Sequence, residues 1–198
     1  ILNPPGHLFM MAEIDTLIFD KTGTLTTNRN YLDFLLLSQT QSKKTRLLRV
    51  DCTENSELES KAQSVPQMEL LLKNMASNNT LIVKKDGKVA GDSMEKEIFR
   101  VNPWKEKPKE AESMLSKRTI LFKKGPDEAQ CELRIVHVFP FDSYLQRMSV
   151  LVEDSATNKN YVFTKGAPEK ITKLCKKKTI LKSFRRECGI ANMKGFRT

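Results

Sequence analysis

Residues 131–166 read CELRIVHVFPFDSYLQRMSVLVEDSATNKNYVFTKG. Three stretches within this segment, CELRIVHVFPF, RMSVLVED and YVFTKG, are strand-like, and the polar run EDSATNKN carries a turn signal between the last two. Upstream, RTILFKK is a further strand-like run, set off by the turn residues KKGPDE. Working outward, Pro66–Ser77 reads as a helix, with proline suited to its first turn and Leu70, Leu71 and Met75 near helical spacing. TLIVKKDGKVAGD reads as a strand followed by a turn at Asp86–Gly87, and Asp92–Arg100 as a short helix. Pro103–Lys117 is loop-like, with helical character at Glu110–Ser116. Two helices follow the sheet, Pro168–Lys176 and roughly Thr179–Met193. The polar stretch Thr40–Ser64 holds one possible strand, TRLLRV. The expected fold is α+β, an antiparallel β-sheet flanked by helices, with one orphan strand at the N-terminus, Thr16–Asp20, read as short and buried.

The 198 residues suit one domain with room for a fragment of a second. Hydrophobic residues at 39% and charged residues at 29% fit a chain with a packed core. No apolar run approaches the roughly 18 residues of a membrane-spanning helix; YLDFLLL at Tyr31–Leu37 is the strongest. The start ILNPPGHLFMM has neither a basic region nor a small-residue cleavage site, and it lacks an initiating Met, so it reads as a piece of something longer. Cys52, Cys131, Cys175 and Cys188 show no metal or redox spacing and read as free thiols. The net charge of +10 gathers at Lys43–Arg49, Lys173–Lys178 and Lys182–Arg186. Such runs serve nucleic acid, an anionic membrane or polyphosphate, or are solvated faces. No zinc-finger spacing or aromatic-rich RNA signature accompanies them, so no nucleic-acid partner is expected.

Asp20 closes the segment IFDKTGTLT, Ile18–Thr26. A carboxylate at the carboxyl end of a strand lies where α/β folds place ligands. Backbone amides of a glycine turn and threonine hydroxyls can bind phosphate oxygens. A carboxylate can attack phosphorus to give an acyl phosphate, provided that Mg²⁺ and a cation offset the repulsion between two anions.

The string DKTGTLT resembles the phosphorylation motif of P-type ATPases, all seven residues in order. The resemblance implies that Asp20 takes the γ-phosphate of ATP, that the carbonyl of Thr22 helps Asp20 hold Mg²⁺, and that Thr24 contacts the phosphate. Related haloacid-dehalogenase-like phosphatases usually carry a second Asp where Thr22 stands; its absence removes the acid/base group and implies a longer-lived phosphoenzyme. GDSMEKEIF at Gly91–Phe99 resembles the family's Gly-Asp-Pro-x-Glu segment, with Ser93 in place of proline and Glu95 on the acid near the adenine amino group. FPFDSYLQRMSV resembles the segment supplying an aromatic platform for adenine, at Phe141. Read without the resemblance, Phe141 is simply a core residue. Ser143 stands where many relatives have an arginine that contacts the triphosphate. TKGAPE at Thr164–Glu169 implies Lys165 in the adenine pocket, with Gly166 allowing close backbone approach. KGFRT implies that Arg197 contacts the ATP phosphates.

On this resemblance, residues 1–30 are a fragment of a Rossmann-like phosphorylation domain and 31–198 a nucleotide-binding domain. ATP and Mg²⁺ are the implied cofactors, and the implied partners are transmembrane and actuator domains elsewhere in a longer chain. The finer resemblance is to subgroup B of the fifth class, associated with polyamine export. That implies an ATP-driven translocase in an endosome- or lysosome-like membrane, with this domain facing the cytosol. The endoplasmic-reticulum helix dislocases of subgroup A are the nearest rival. A free-standing phosphatase and a non-catalytic anion-binding module are the alternatives of other classes. No Gly-Asp-Gly-x-Asn-Asp or Thr-Gly-Glu segment is found, so this fragment alone is expected to be inactive.

Overall fold

The computed structural model describes residues 13–21, 23–27, 30–41, 44–52, 65–84, 87–106, 120–124 and 130–198. The helix expected at Glu110–Ser116, the residues of the KKGPDE turn beyond Lys124, and Thr22 lie outside them. The chain divides into two compact units, Ile1–Asn30 and Tyr31–Thr198.

In the second unit, β1 (Phe34–Gln41) and β2 (Lys44–Asp51) form an antiparallel hairpin. Next come α1 (Pro66–Ser77), a short hairpin of β3 (Ile82–Val83) and β4 (Val89–Ala90), and α2 (Ser93–Arg100). The main sheet has five strands in sequence order: β5 (Lys105–Glu106), β6 (Ile120–Lys124), β7 (Gln130–Asp142), β8 (Arg147–Asp154) and β9 (Lys159–Gly166). Every strand pairing among the described residues of this sheet is antiparallel. α3 (Pro168–Leu174), a 3₁₀ turn at Lys177–Thr179 and α4 (Phe184–Met193) complete the chain. The α+β class holds, with helices beside an antiparallel sheet.

One face of the sheet makes the core. Along β8 burial alternates strictly, with Met148, Val150, Val152 and Asp154 buried and their neighbours half-exposed, as a strand covered on one side requires. α1 supplies the stripe Met68, Leu72 and Ala76 at four-residue spacing. Leu37 and Val50 of the β1–β2 hairpin join the same cluster, as do Trp104, Leu121 and Leu133. Each such aliphatic side chain contributes about 1.5–3 kcal/mol by burial.

Several expectations are corrected. Thr16–Asp20 is not a strand: residues 14–20 have no regular structure, and Leu17, Ile18 and Phe19 are exposed, Ile18 to 93%. A single extended segment has no neighbour to receive its backbone hydrogen bonds, so apolarity alone does not bury it. The exit turn does form. Lys21 C=O accepts from the amides of Leu25 and Thr26, and Gly23 supplies a φ of 85°. Leu70 faces solvent, because it lies two residues from both Met68 and Leu72 of the buried stripe and so about 200° around the helix from each. The loop expected after Pro103 contributes a sheet edge at Lys105–Glu106. The last helix starts at Phe184, with Thr179 closing a separate 3₁₀ turn.

A buried ion pair joins α1 to β8 within this core. Lys73 of α1 donates to Asp154 Oδ2 at 2.5 Å, with side-chain exposures of 7% and 0%. Thr157 Oγ1 donates to the same carboxylate at 2.9 Å and the Ala156 amide at 3.0 Å. Burial pushes the Asp154 carboxyl up, but the Lys73 ammonium, the Thr157 hydroxyl and the Ala156 amide together outweigh it and hold it below the ordinary carboxylate range. Because the folded value is depressed, this contribution is present above the ordinary carboxyl pKa and is lost as pH falls through the folded value. Asp154→Ala leaves the 7%-exposed Lys73 side chain with the Glu69 carboxylate, 4.0 Å away, as its remaining ionic partner and is predicted to cost about 3 kcal/mol, the lower end of what breaking a buried pair costs. Urea denaturation at neutral pH checks it: a change under about 1 kcal/mol would show that Lys73 escapes to water.

Candidate nucleotide site

α2 is capped by Asp92, whose carboxylate accepts from the amides of Met94 at 2.9 Å and Glu95 at 3.1 Å. This N-cap satisfies two orphan donors of the first turn without the proline that Ser93 replaces. Gly91 precedes it with φ 138°, and a Cβ there would stand 2.7 Å from Leu81 Cδ2. The end of the Leu81 side chain can turn aside, so what favours glycine here is the backbone conformation itself.

Glu95 occupies the third helical position. In a capping box that residue turns back to its own N-cap amide. Here it reaches outward. Oε2 accepts from the Thr80 amide at 3.0 Å and the Thr80 hydroxyl at 2.8 Å, and Oε1 accepts from the Lys165 ammonium of β9. The Glu95 side chain is 12% exposed and that of Lys165 38%. Burial pushes the Glu95 carboxyl up; the bonds from Lys165 and Thr80 outweigh this and hold it below the ordinary range, so it is ionised at neutral pH.

Register then places Phe141. Phe139 pairs with Ser149 and Asp142 with Arg147, so Pro140 and Phe141 together oppose the single residue Met148. This β-bulge re-aims the strand end. Met148 in turn pairs with Lys165. Phe141, Met148 and Lys165 therefore form one row across three adjacent strands, about 10 Å from end to end at the usual strand spacing. Phe141 is 59% exposed, so it is not a core residue.

Gly166 ends β9. A Cβ built there would lie 2.3 Å from Gln146 O and 2.8 Å from Arg147 Cα. The close approach expected at this glycine is made by the chain itself: Gln146, at φ 50°, closes the β7–β8 turn and its carbonyl accepts from the Ala167 amide at 3.1 Å. Arg197 is exposed and lines a cleft of about 1260 Å³ with Ala167 and Pro168, the two residues after Gly166. Lys173, Lys177 and Arg185 line the same cleft.

The sequence-derived residues thus fall into two groups. Glu95 and Lys165 are in direct contact, with Phe141 and Gly166 on the same strand ends and Arg197 across a neighbouring cleft. Asp20 and Thr24 belong to the first unit, where both are exposed. Among the described residues, no group of three or more His, Cys, Asp or Glu gathers as a metal site, and no helix is long and apolar enough to cross a membrane. Thr80 escaped the sequence reading. In NNTLIV it marks only the end of a helix, and its partner lies 15 residues on.

Comparison with known proteins identifies the family. The family profile described as "P-type ATPase, cytoplasmic domain N" matches residues 68–187. The chain belongs to the P-type ATPases. It is 30% identical, over 98% of its length, to "Probable cation-transporting ATPase 13A5" of Homo sapiens, and 31% identical to "Probable cation-transporting ATPase 13A4" of the same organism, again over 98%. With "Polyamine-transporting ATPase 13A3" of Homo sapiens it shares 29%, also over 98%. The chain spans about 15–16% of the length of these relatives.

Gly166→Ala is predicted to cost about 1–3 kcal/mol, because its Cβ meets backbone that is itself hydrogen-bonded. Comparing the urea midpoints of the two proteins checks this; equal midpoints would mean that the β9 end shifts freely.

Proposed function

We propose that residues 31–198 bind ATP at the Glu95–Lys165 corner, with the adenine ring on Phe141 and the phosphates directed toward Arg197. The observation that carries this reading is the half-buried, ionised Glu95 paired with Lys165 and set in a row with an exposed phenylalanine. An exposed aromatic face beside a hydrogen-bonding polar pair suits a flat heterocycle. The neighbouring cleft supplies cations for phosphate oxygens, and Lys173 and Arg185 stand available where Ser143 offers no charge.

In the full-length protein we assign residues 1–30 to the phosphorylation domain and Asp20 as nucleophile. One Asp20 carboxylate oxygen attacks the γ-phosphorus, the bond to the β–γ bridging oxygen breaks, and ADP leaves with that electron pair. Asp20 and the Thr22 carbonyl would hold Mg²⁺, whose charge offsets that of the phosphate, while the Thr24 hydroxyl donates to a phosphate oxygen. Thr22 offers no carboxyl to activate water, which suits a phosphoenzyme that persists through a transport cycle. The cargo we propose is a polyamine, on the strength of the resemblance in FPFDSYLQRMSV and KGAPEKITKLC and of a relative named for polyamine transport. The setting we propose is an intracellular organelle membrane.

Three outcomes are predicted. Titration of the chain with ATP, ADP and AMP should move the amide resonances of Glu95, Phe141, Lys165 and Gly166. Phe141→Ala should weaken binding by about 1–3 kcal/mol, as loss of a base-stacking ring does, with a stability change below about 1 kcal/mol because the ring is exposed. Unmoved resonances at millimolar ATP would contradict the reading. Full-length protein given γ-labelled ATP should carry acid-stable label that Asp20→Asn abolishes; label persisting in that variant would place the nucleophile elsewhere.

A further inference from the structure

α4 ends in a closed turn that leads straight to Arg197. The Gly195 amide donates to the Asn192 carbonyl at 2.9 Å and the Phe196 amide to the Ala191 carbonyl at 3.0 Å, with Gly195 at φ 82°. These two bonds make a Schellman motif, which satisfies the last carbonyls of the helix and turns the chain off its axis. Beyond Arg197, Thr198 Oγ1 donates to Asn192 Oδ1 at 3.1 Å. A side-chain contact adds to these bonds. The Phe196 ring meets Phe34 of β1 edge to face, with centroids 5.3 Å apart and planes at 81°. Arg49 of β2 lies over the same Phe34 ring, 3.8 Å from its centre, and its Nε donates to Asp51 Oδ1 at 2.8 Å. Phe196 lines the cleft that holds Arg197 and also a groove of about 400 Å³ walled by Phe34, Leu36 and Leu47.

We propose that Phe34 is a positioning residue for the phosphate end of the nucleotide site. It holds Phe196, and through it the backbone that carries Arg197. This rests on the nucleotide-binding reading above. The Arg197 guanidinium is a planar fork of donors, and among the described residues no carboxylate pairs with it. A long side chain loses rotamer freedom when it engages a phosphate, and binding costs less when the backbone beneath it is already ordered. Phe34 touches no ligand. It belongs to the separate two-stranded sheet of β1 and β2, whereas Phe141 and Lys165 stand on β7 and β9 of the main sheet. Loss of the Phe34 ring therefore loosens the phosphate end and leaves the base end as it was.

The test compares ATP with adenosine, which share the base and differ in the phosphates. Both are titrated into the wild-type chain, Phe34→Ala, Arg197→Ala and the double variant. Arg197→Ala should weaken ATP about tenfold, the scale of one hydrogen bond to a charged group, and leave adenosine within about twofold. Phe34→Ala should weaken ATP about fivefold, the scale of ordering one mobile side chain on binding, again with adenosine within about twofold. The double variant should bind ATP within about twofold of Arg197→Ala alone, because the two residues act as one unit. Phe34→Tyr keeps the ring and should keep the wild-type ATP affinity. If Phe34→Ala does not fold, Phe34→Leu, which keeps apolar bulk and loses the ring edge, makes the same comparison. Equal loss of ATP and adenosine in Phe34→Ala would show a merely structural role and overturn the proposal. Unchanged ATP affinity, or losses that add in full in the double variant, would overturn it as well. An Arg197→Ala protein that binds ATP as the wild type does would remove Arg197 from the phosphates and the positioning role with it, with the base site intact. A wild type that binds neither ATP nor adenosine would remove the nucleotide reading itself.

Discussion

The buried ion pair between Lys73 and Asp154 is the constraint from which the rest of the second unit follows. Two charges inside an apolar layer are tolerated only if each finds the other in good geometry. That requirement fixes α1 against β8 in one register. A helix held only by Met68, Leu72 and Ala76 could slide by a turn at modest cost, since aliphatic contacts are not directional. The carboxylate cannot slide, because Thr157 and the Ala156 amide already hold its oxygens. The pair thus converts a non-specific hydrophobic contact into a defined position for the end of α1.

What that position delivers is Thr80. The turn after α1 ends beside α2, which Gly91 allows to pass close to Leu81 and which Asp92 caps. Glu95 then bridges from Thr80 to Lys165 on β9. A ring of contacts therefore runs from β8 through α1, Thr80 and Glu95 to β9, and closes through the β8–β9 ladder, where Met148 faces Lys165. A corner built this way keeps an ionised carboxylate and an ammonium in fixed relation before any ligand arrives. Preorganisation of that kind lowers the ordering cost of binding.

Much of this was legible in the sequence. The four long strands of the main sheet read directly from their apolar runs and turn residues, and Pro66–Ser77 from its proline and leucines. Glu95, Phe141, Lys165, Gly166 and Arg197 were legible as members of motifs. Their relation was not, because the Glu95–Lys165 contact joins residues 70 apart, and the row from Phe141 to Lys165 depends on a bulge that opposes two residues to one. Thr80 and Asp154 carry no motif at all; each is defined by a partner far along the chain. The segment at Thr16–Asp20 misled for the opposite reason. Its apolar run is a sound local signal for a strand, but a strand is a property of a pair, and the signal says nothing of the neighbour. Gly166 carried a mixed message: the need for close approach was right, and what approaches is Gln146.

The account stands or falls on where the base sits. Intermolecular nuclear Overhauser effects between the adenine protons of bound ATP and the protein measure this directly. The account predicts cross-peaks from adenine H2 and H8 to the Phe141 ring and to the Lys165 side chain. Cross-peaks to Phe184 or Cys188 instead, with none to Phe141, would put the base in the cleft that Arg197 lines and would contradict it.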